Sequence, residues 1–346
     1  MRAVVYSKFG DSSVLEVVER DLPSAHWGEV RVRLAVAGVN PTDWKFRAGT
    51  TASSLPFDEI VPGQDGAGVV DEVGNGVYDV KVGDRVWIFL AQHDRPGGTA
   101  QEYVVVPAER VVRLGDASYD VGASLGVPAM TAHRALTIHE DGPTRLSPGA
   151  LEGRTVLVTG GAGAVGHAAI QLAVWAGATV ITTVSGDEKA RLAQVAGAHH
   201  VVNYRTGDPA AEIVALAPGG VDLVVEVAII QNVDLIGRVL KSRGAVSAYA
   251  NTGGADVTLP VRPFMTTNAR IQFVLLYTVG EDALRAAGED VATAVAEGVL
   301  EVGEEHGLPL VRYPLEEAAA AHDAVEEGAV GKVLIDVADL DRPGAG

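Results

Sequence analysis

The chain has 346 residues, 47% hydrophobic and 21% charged, a composition that can bury a substantial core and is not that of a disordered polymer. Its 27 basic against 45 acidic side chains give a formal charge of −18, a field that opposes binding to nucleic-acid backbones and anionic membrane surfaces. Cysteine is absent, which removes disulfides, thiolate catalysis and every zinc site built with a cysteine ligand.

The first residues reach Asp11 before any apolar run of signal-peptide length. No stretch approaches the roughly 18 apolar residues of a membrane span, so a cytoplasmic protein is expected. Up to about residue 125, short β-branched runs at 30–36, 68–73, 85–89 and Tyr103–Pro107 are divided by Gly, Pro and Asp. Many short strands separated by turn residues predict a barrel-like, β-rich unit. The segment 138–150, with Asp141, Gly142, Pro143, Pro148 and Gly149, reads as a surface loop.

From about residue 126 the rhythm changes to alternating strand and helix. A strand at Thr155–Thr159, a helix at 166–176, a strand at Thr179–Val184 and a helix at 187–196 ended by Gly197 come in succession. Strands at 201–203, Val221–Glu226 and 245–250 continue the series, which predicts a parallel, doubly wound sheet. After about 262 an apolar strand at 271–278, helices and a last strand at 332–337 follow. The fold class expected is α/β, a barrel-like β-rich domain joined to a Rossmann-type nucleotide-binding domain.

The sharpest motif is Gly161-x-Gly163-x-x-Gly166, set directly after the strand Thr155–Thr159 and directly before a helix. One glycine permits a tight turn and the next lets the backbone approach a pyrophosphate. The third lets helix and strand pack closely, with the N–H groups around Ala164 and Val165 facing the anion. A ligand-free strand-to-helix turn is the alternative. At the end of the second strand, Ser185-Gly186-Asp187-Glu188-Lys189 replaces the lone acid that commonly holds an NAD ribose, and Tyr204 and Arg205 follow the third strand. A serine, a lysine and a tyrosine suit a 2′-phosphate and favour NADPH. Other readings stay open: Ser185 with Glu188 also spells a capping box, Lys189 suits a solvated helix face, and Asp187 suits an NAD ribose.

Six segments occur in order: Gly38-Val-Asn-Pro-Thr-Asp43, Pro62-Gly-Gln-Asp-Gly-Ala-Gly68, Gly83-Asp-Arg-Val86, Gly126-Val-Pro-Ala-Met-Thr-Ala132, the glycine loop and Gly331-Lys332-Val333. On these the whole chain resembles the medium-chain dehydrogenase/reductase superfamily, and within it the zinc-free quinone oxidoreductases of the zeta-crystallin type. The resemblance implies a GroES-like catalytic domain from residues 1–125 and 262–346, a nucleotide-binding domain from 126–261, and an active cleft at their junction. It implies homodimers or homotetramers that use NADPH to reduce quinones or activated carbon–carbon double bonds. Zinc-dependent relatives carry a cysteine ligand and Gly-His-Glu. This chain reads Pro62-Gly63-Gln64-Asp65 and has no cysteine, so no metal site is expected.

The resemblance also assigns residues. Asn40 matches the asparagine near the nicotinamide, with capping of the turn before Pro41 as the alternative. Lys45 departs from the tyrosine common in quinone-reducing relatives and resembles the alkenal/enone reducers, where a lysine would stabilise an enolate-like oxyanion. A solvated loop lysine is equally open there. Ser185, Lys189 and Tyr204 match the 2′-phosphate positions, and Ala248, Tyr249 and Asn251 line the cofactor channel. Tyr277 is a candidate wall of the substrate cleft, although Tyr249 and Tyr277 also suit core aromatics. Lys332 falls at the family's Gly-Lys near the cofactor, but the arginine often found upstream is missing from 327–330. No spacing suggests a Ser-His-Asp triad or a paired-carboxylate site, which fits hydride transfer, where the cofactor carries the chemistry. Three readings follow: an NADPH-dependent quinone reductase, an NADPH-dependent alkenal/enone reductase, and an NADP-binding structural or sensory protein with little turnover.

Overall fold

Valine and leucine at alternate positions put Val30, Val32 and Leu34 on one face of the long strand Glu29–Val39, all fully buried. The computed structural model describes residues 1–340, and the chain divides into two units, Met1–Val127 with the segment from Leu310 onward, and Pro128–Pro309. In the first unit Glu29–Val39 pairs antiparallel with Asp65–Val73, Tyr103–Pro107 and Lys332–Asp336. Two register shifts in its ladder with Asp65–Val73 mark bulges, which bend the sheet. Arg85–Ile88, Val111–Arg113 and Leu310–Pro314 complete the sheet, and Val86, Ile88 and Val104 fill the core beneath it. A separate pair, Arg2–Val5 with Glu16–Glu19, was not among the expected strands.

The second unit is built on six parallel strands: β1 (Thr155–Thr159), β2 (Thr179–Val184), β3 (His200–Asn203), β4 (Val221–Glu226), β5 (Leu240–Ala248) and β6 (Arg270–Phe273). Between them run helices α1 (Ala164–Trp175), α2 (Asp187–Val195), α3 (Pro209–Leu216) and α4 (Ile229–Val239). The strand order is β3-β2-β1-β4-β5-β6, so the order reverses between β1 and β4. In such a sheet ligands bind beyond the carboxyl ends of the strands at that reversal. β4 is buried along its whole length, as strands of a parallel sheet covered on both faces are.

Two expectations need correction. The return to the first unit comes at Leu310 and not at 262, because β6 extends the parallel sheet beside β5 and keeps 262–309 with the second unit. The other boundary falls at Val127, against 125 expected, and residues 341–346 of the expected catalytic domain lie outside the described residues. The strand expected at 271–278 stops at Phe273. Its partner β5 ends at Ala248, opposite Phe273, so the ladder has nothing further to pair with and the chain turns into a 3₁₀ segment, Leu276–Thr278.

The loop 138–150 is tethered. The Leu146 N–H donates to Asp290 Oδ2 at 2.7 Å, and Arg145 Nε donates to Asp290 Oδ1 at 2.8 Å. His133 Nε2 lies 2.7 Å from Asp290 Oδ2, in a buried clamp that sequence spacing gave no means of finding.

Candidate functional site

At the carboxyl end of β1 the chain turns at Gly160 and enters α1 with Gly163 as its N-cap. Two of the motif glycines are required by close approach. A Cβ on Gly161 would stand 2.1 Å from Thr182 Oγ1, and one on Gly166 would stand 2.4 Å from the Gly160 carbonyl oxygen. A Cβ on Gly163 meets nothing nearer than 3.4 Å, so that side of the turn has room. The first-turn N–H groups of a helix have no acceptor within it, and the helix dipole adds partial positive charge there. This cradle has the shape and polarity for a pyrophosphate.

The corner for the far end of such a ligand forms where β2 and β3 finish. Tyr204 N–H donates to the Val184 carbonyl at 3.0 Å, which sets Tyr204 beside Ser185 across the ladder. The N-cap of α2 is Gly186 and no side chain caps that helix, so the capping-box alternative for Ser185 is not formed. Lys189, in the first turn of α2, makes no ion pair or hydrogen bond among the described residues.

Beyond β5 and β6 lies a cleft of about 540 Å³ whose walls include Ala248, Tyr249, Asn251, Phe273, Leu275 and Thr278. Three expected cofactor-channel residues therefore share one cavity. Tyr277 is half-buried on the 3₁₀ segment, between two residues of this wall, Leu275 and Thr278, and does not itself line this cavity. Burial and the charge of Glu226 raise the pKa of the Tyr249 hydroxyl. Glu226, at the end of β4, was not anticipated. Its Oε1 accepts the Ala228 N–H and the Asn232 Nδ2–H, the latter at 2.9 Å, and burial raises its pKa. Its strand carries a second acid, Asp222, so no local sequence signal set Glu226 apart.

In the first unit, Asn40 sits at the N-cap of the helix Pro41–Arg47, in a capping box with Asp43, and its side chain also bonds to Asp65 and Lys332. Asn40 Nδ2 donates to Asp65 Oδ2 at 2.7 Å, and Lys332 Nζ donates to Asn40 Oδ1 at 2.8 Å. Lys332 Nζ also reaches Asp65 Oδ2 at 3.5 Å, and the Val127 N–H donates to Asp65 Oδ1 at 2.8 Å. In that box Asp43 Oδ2 accepts the Asn40 N–H at 2.7 Å.

Burial and the neighbouring charge of Asp65 push the Asp43 carboxyl up to about 7. Burial likewise raises Asp65, opposed by Lys332, and lowers the Lys332 ammonium, opposed by Asp65. Asp43 and Asp65 both lie in the segments that carried the family resemblance, yet nothing in their spacing showed that they converge. Lys45, on the same helix, is half-buried with Nζ 5.9 Å from the centre of the Trp44 ring.

Comparison with known proteins agrees with this architecture. Residues 26–116 match the alcohol dehydrogenase GroES-like domain, and residues 164–293 match the zinc-binding dehydrogenase domain. A quinone oxidoreductase of Lama guanicoe is 33% identical over 344 residues, covering 97% of each chain. A 2-haloacrylate reductase of a Burkholderia species is 33% identical, covering 93% of this chain and 94% of its own. Among solved structures, an NAD-dependent alcohol dehydrogenase superposes with a TM-score of 0.85 at 30% identity, covering 98% of this chain and all of its own. Escherichia coli quinone oxidoreductase complexed with NADPH gives 0.79 at 25% identity, covering 97% and 100%. The chain belongs to the medium-chain dehydrogenase/reductase superfamily, in its quinone oxidoreductase branch.

The matched domain's description raises the question of zinc, and the donor set answers it. The chain has no cysteine, and at Pro62-Gly63-Gln64-Asp65 both candidate side chains are engaged. Gln64 Nε2 donates to Gln92 Oε1 at 3.0 Å, and both Asp65 oxygens accept protein N–H groups. Among the described residues no group of three His, Cys, Asp or Glu side chains could hold a metal ion. The residues present do not fit a catalytic zinc of that kind.

Proposed function

We propose that this chain is an NADPH-dependent oxidoreductase that delivers a hydride to a quinone, without zinc. The observation that carries the cofactor choice is the corner at the ends of β2 and β3. There Lys189, unpaired among the described residues, stands with Ser185 and Tyr204 on a chain whose overall charge repels anions. A cation without a protein partner favours a dianionic 2′-phosphate over a ribose hydroxyl.

Bound NADPH supplies the hydride, and the protein supplies position and charge. The N–H groups of Ala164, Val165 and Gly166 hold the pyrophosphate, while Ser185, Lys189 and Tyr204 hold the 2′-phosphate. Ala248, Tyr249 and Asn251 line the path beyond β5. Asn40 orients the nicotinamide end, with Lys332 beside it, and Tyr277 borders the acceptor. A proton from water or the cleft completes the reduction.

One observation favours a second acceptor class. Lys45 stands where quinone-reducing relatives commonly have tyrosine, and a relative of 33% identity is a 2-haloacrylate reductase. On this reading Lys45 stabilises the oxyanion that forms when an α,β-unsaturated carbonyl accepts hydride.

For assembly we favour a homodimer built on the open edge of the sheet at β6. Val261, Met265, Phe273 and Leu275 are 57–71% exposed along that edge, and an unpaired edge flanked by apolar side chains needs a cover. A cytoplasmic location follows from the sequence reading; no described helix is long and apolar enough to cross a membrane.

The test is an assay of the purified protein with NADPH against a quinone panel and, separately, 2-alkenals and cyclic enones. Turnover of quinones supports the leading reading, and turnover confined to alkenals or enones replaces it with the second. Tight NADPH binding without acceptor-dependent oxidation removes both and leaves a structural or sensory binding protein.

A further inference from the structure

We infer that Asp65 and Lys332 are positioning residues that lock the Asn40 side-chain amide in one orientation. The inference rests on the reading of Asn40 as the residue that orients the nicotinamide end. Three side chains far apart in sequence close a ring of contacts at 2.7, 2.8 and 3.5 Å. All three are buried: Asp65 is 0% exposed, Lys332 2% and Asn40 3%.

The chemistry of the ring fixes the amide. Asp65 carries only acceptors, and a protonated Lys332 only donors. Turning the amide over would place Nδ2 against the ammonium and Oδ1 against the carboxylate, turning two attractions into two repulsions. Each partner is itself held. The Val127 N–H anchors the second oxygen of Asp65, and the Asn40 backbone is tied to Asp43. Lys332 has room because residue 38 is glycine; a Cβ there would stand 3.0 Å from Lys332 Cε and 2.1 Å from the Ala123 carbonyl oxygen.

An amide has two donors and two lone pairs; the ring takes one of each and Asp43 lies against the same side chain, so the face that Asn40 turns to a bound molecule is fixed. Lys332 therefore acts on the cofactor through Asn40. This differs from the direct contact that the family resemblance implies. A buried lysine and aspartate placed only for stability would have no need to grip both ends of an amide.

The test combines Asn40→Ala with the charge-neutral pair Asp65→Asn plus Lys332→Met. Removing both charges together avoids stranding one of them in the interior, which would endanger folding. The pair is expected to lower kcat about tenfold to a hundredfold, the scale of a misplaced orienting group, while KM for NADPH changes less than about threefold. In the Asn40→Ala background the pair is expected to lower kcat no further, because the group it positions is already gone.

A second readout needs no cofactor. In protein labelled with 15N at asparagine, the Asn40 carboxamide protons, identified by their loss in Asn40→Ala, are expected to be resolved and slow to exchange. They should become fast-exchanging in the pair variant. A kcat loss in Asn40→Ala together with an unchanged pair variant, or with losses that multiply, overturns the positioning role and leaves Asn40 as a contact residue. No loss in Asn40→Ala removes the Asn40 reading and the inference with it.

Discussion

Asp290 in the second unit and Asp43 in the first are both buried carboxylates, yet they are driven in opposite directions. Asp290 receives Arg145 Nε at 2.8 Å and the Leu146 N–H and His133 Nε2 at 2.7 Å each, and these contacts hold its pKa down to about 2 despite burial. Asp43 receives the Asn40 N–H at 2.7 Å and lies near the charge of Asp65, and its pKa rises to about 7. Burial raises both carboxyls; at Asp290 the donors outweigh it, whereas at Asp43 burial and the charge of Asp65 prevail over the Asn40 contact. The difference separates two kinds of polar interior. The Asp290 clamp ties a helix and the 138–150 segment to one carboxylate, whereas the Asn40 ring holds an amide between a carboxylate and an ammonium.

The largest expected effect breaks the comparison from the first unit's side. Lys332→Met leaves Asp65 buried without its cation, and removing one partner of a buried pair costs about 3–5 kcal/mol. Urea unfolding of Lys332→Met against the charge-neutral pair checks this, the pair being expected to retain more stability than the single substitution. A smaller effect comes from the other side. Asp290→Ala strands the Leu146 N–H and His133, a loss of about 1–3 kcal/mol, with NADPH affinity unchanged. A large loss of cofactor affinity in Asp290→Ala would erase the distinction between clamp and site.

The smallest effect is a slope. A carboxyl raised above its ordinary value near 3.8 contributes stability below about pH 4 that is lost as pH climbs towards 7. Asp65, Lys332, Tyr6 and Arg47 share that interior, and Asp43→Asn is expected to flatten this part of the stability profile. Asp290 acts in the opposite sense: its contribution is present above about pH 4 and is lost as pH falls towards 2. Urea midpoints measured from pH 3 to 8 for the parent chain, Asp43→Asn and Asp290→Ala separate the two.

What the sequence disclosed follows from how far each signal reaches along the chain. The glycine loop, β2 and the Ser185–Lys189 segment lie within about 35 residues, and local periodicity and turn chemistry suffice to read them. The boundary at Leu310 was misplaced because membership of β6 in the parallel sheet is a pairing fact, and an apolar run at 271–278 reads alike in either unit. The Asn40 ring joins residues 40, 65 and 332, and the Asp290 clamp joins 133, 145 and 290. Neither spacing obeys any period. The family resemblance named Asn40 and Lys332 separately, but their contact with each other emerges only from the folded chain. Glu226 went unmarked because its strand carries another acid, Asp222, and its partners Ala228 and Asn232 come together only in the fold.

The central claim, an NADPH-dependent reductase, is tested most directly by kcat/KM for NADPH and NADH with one quinone, in the parent chain and in Lys189→Ala. The account predicts that the parent favours NADPH by at least about tenfold and that Lys189→Ala loses most of that preference by weakening NADPH alone. Equal use of both cofactors by the parent, or a preference that survives Lys189→Ala unchanged, would contradict it.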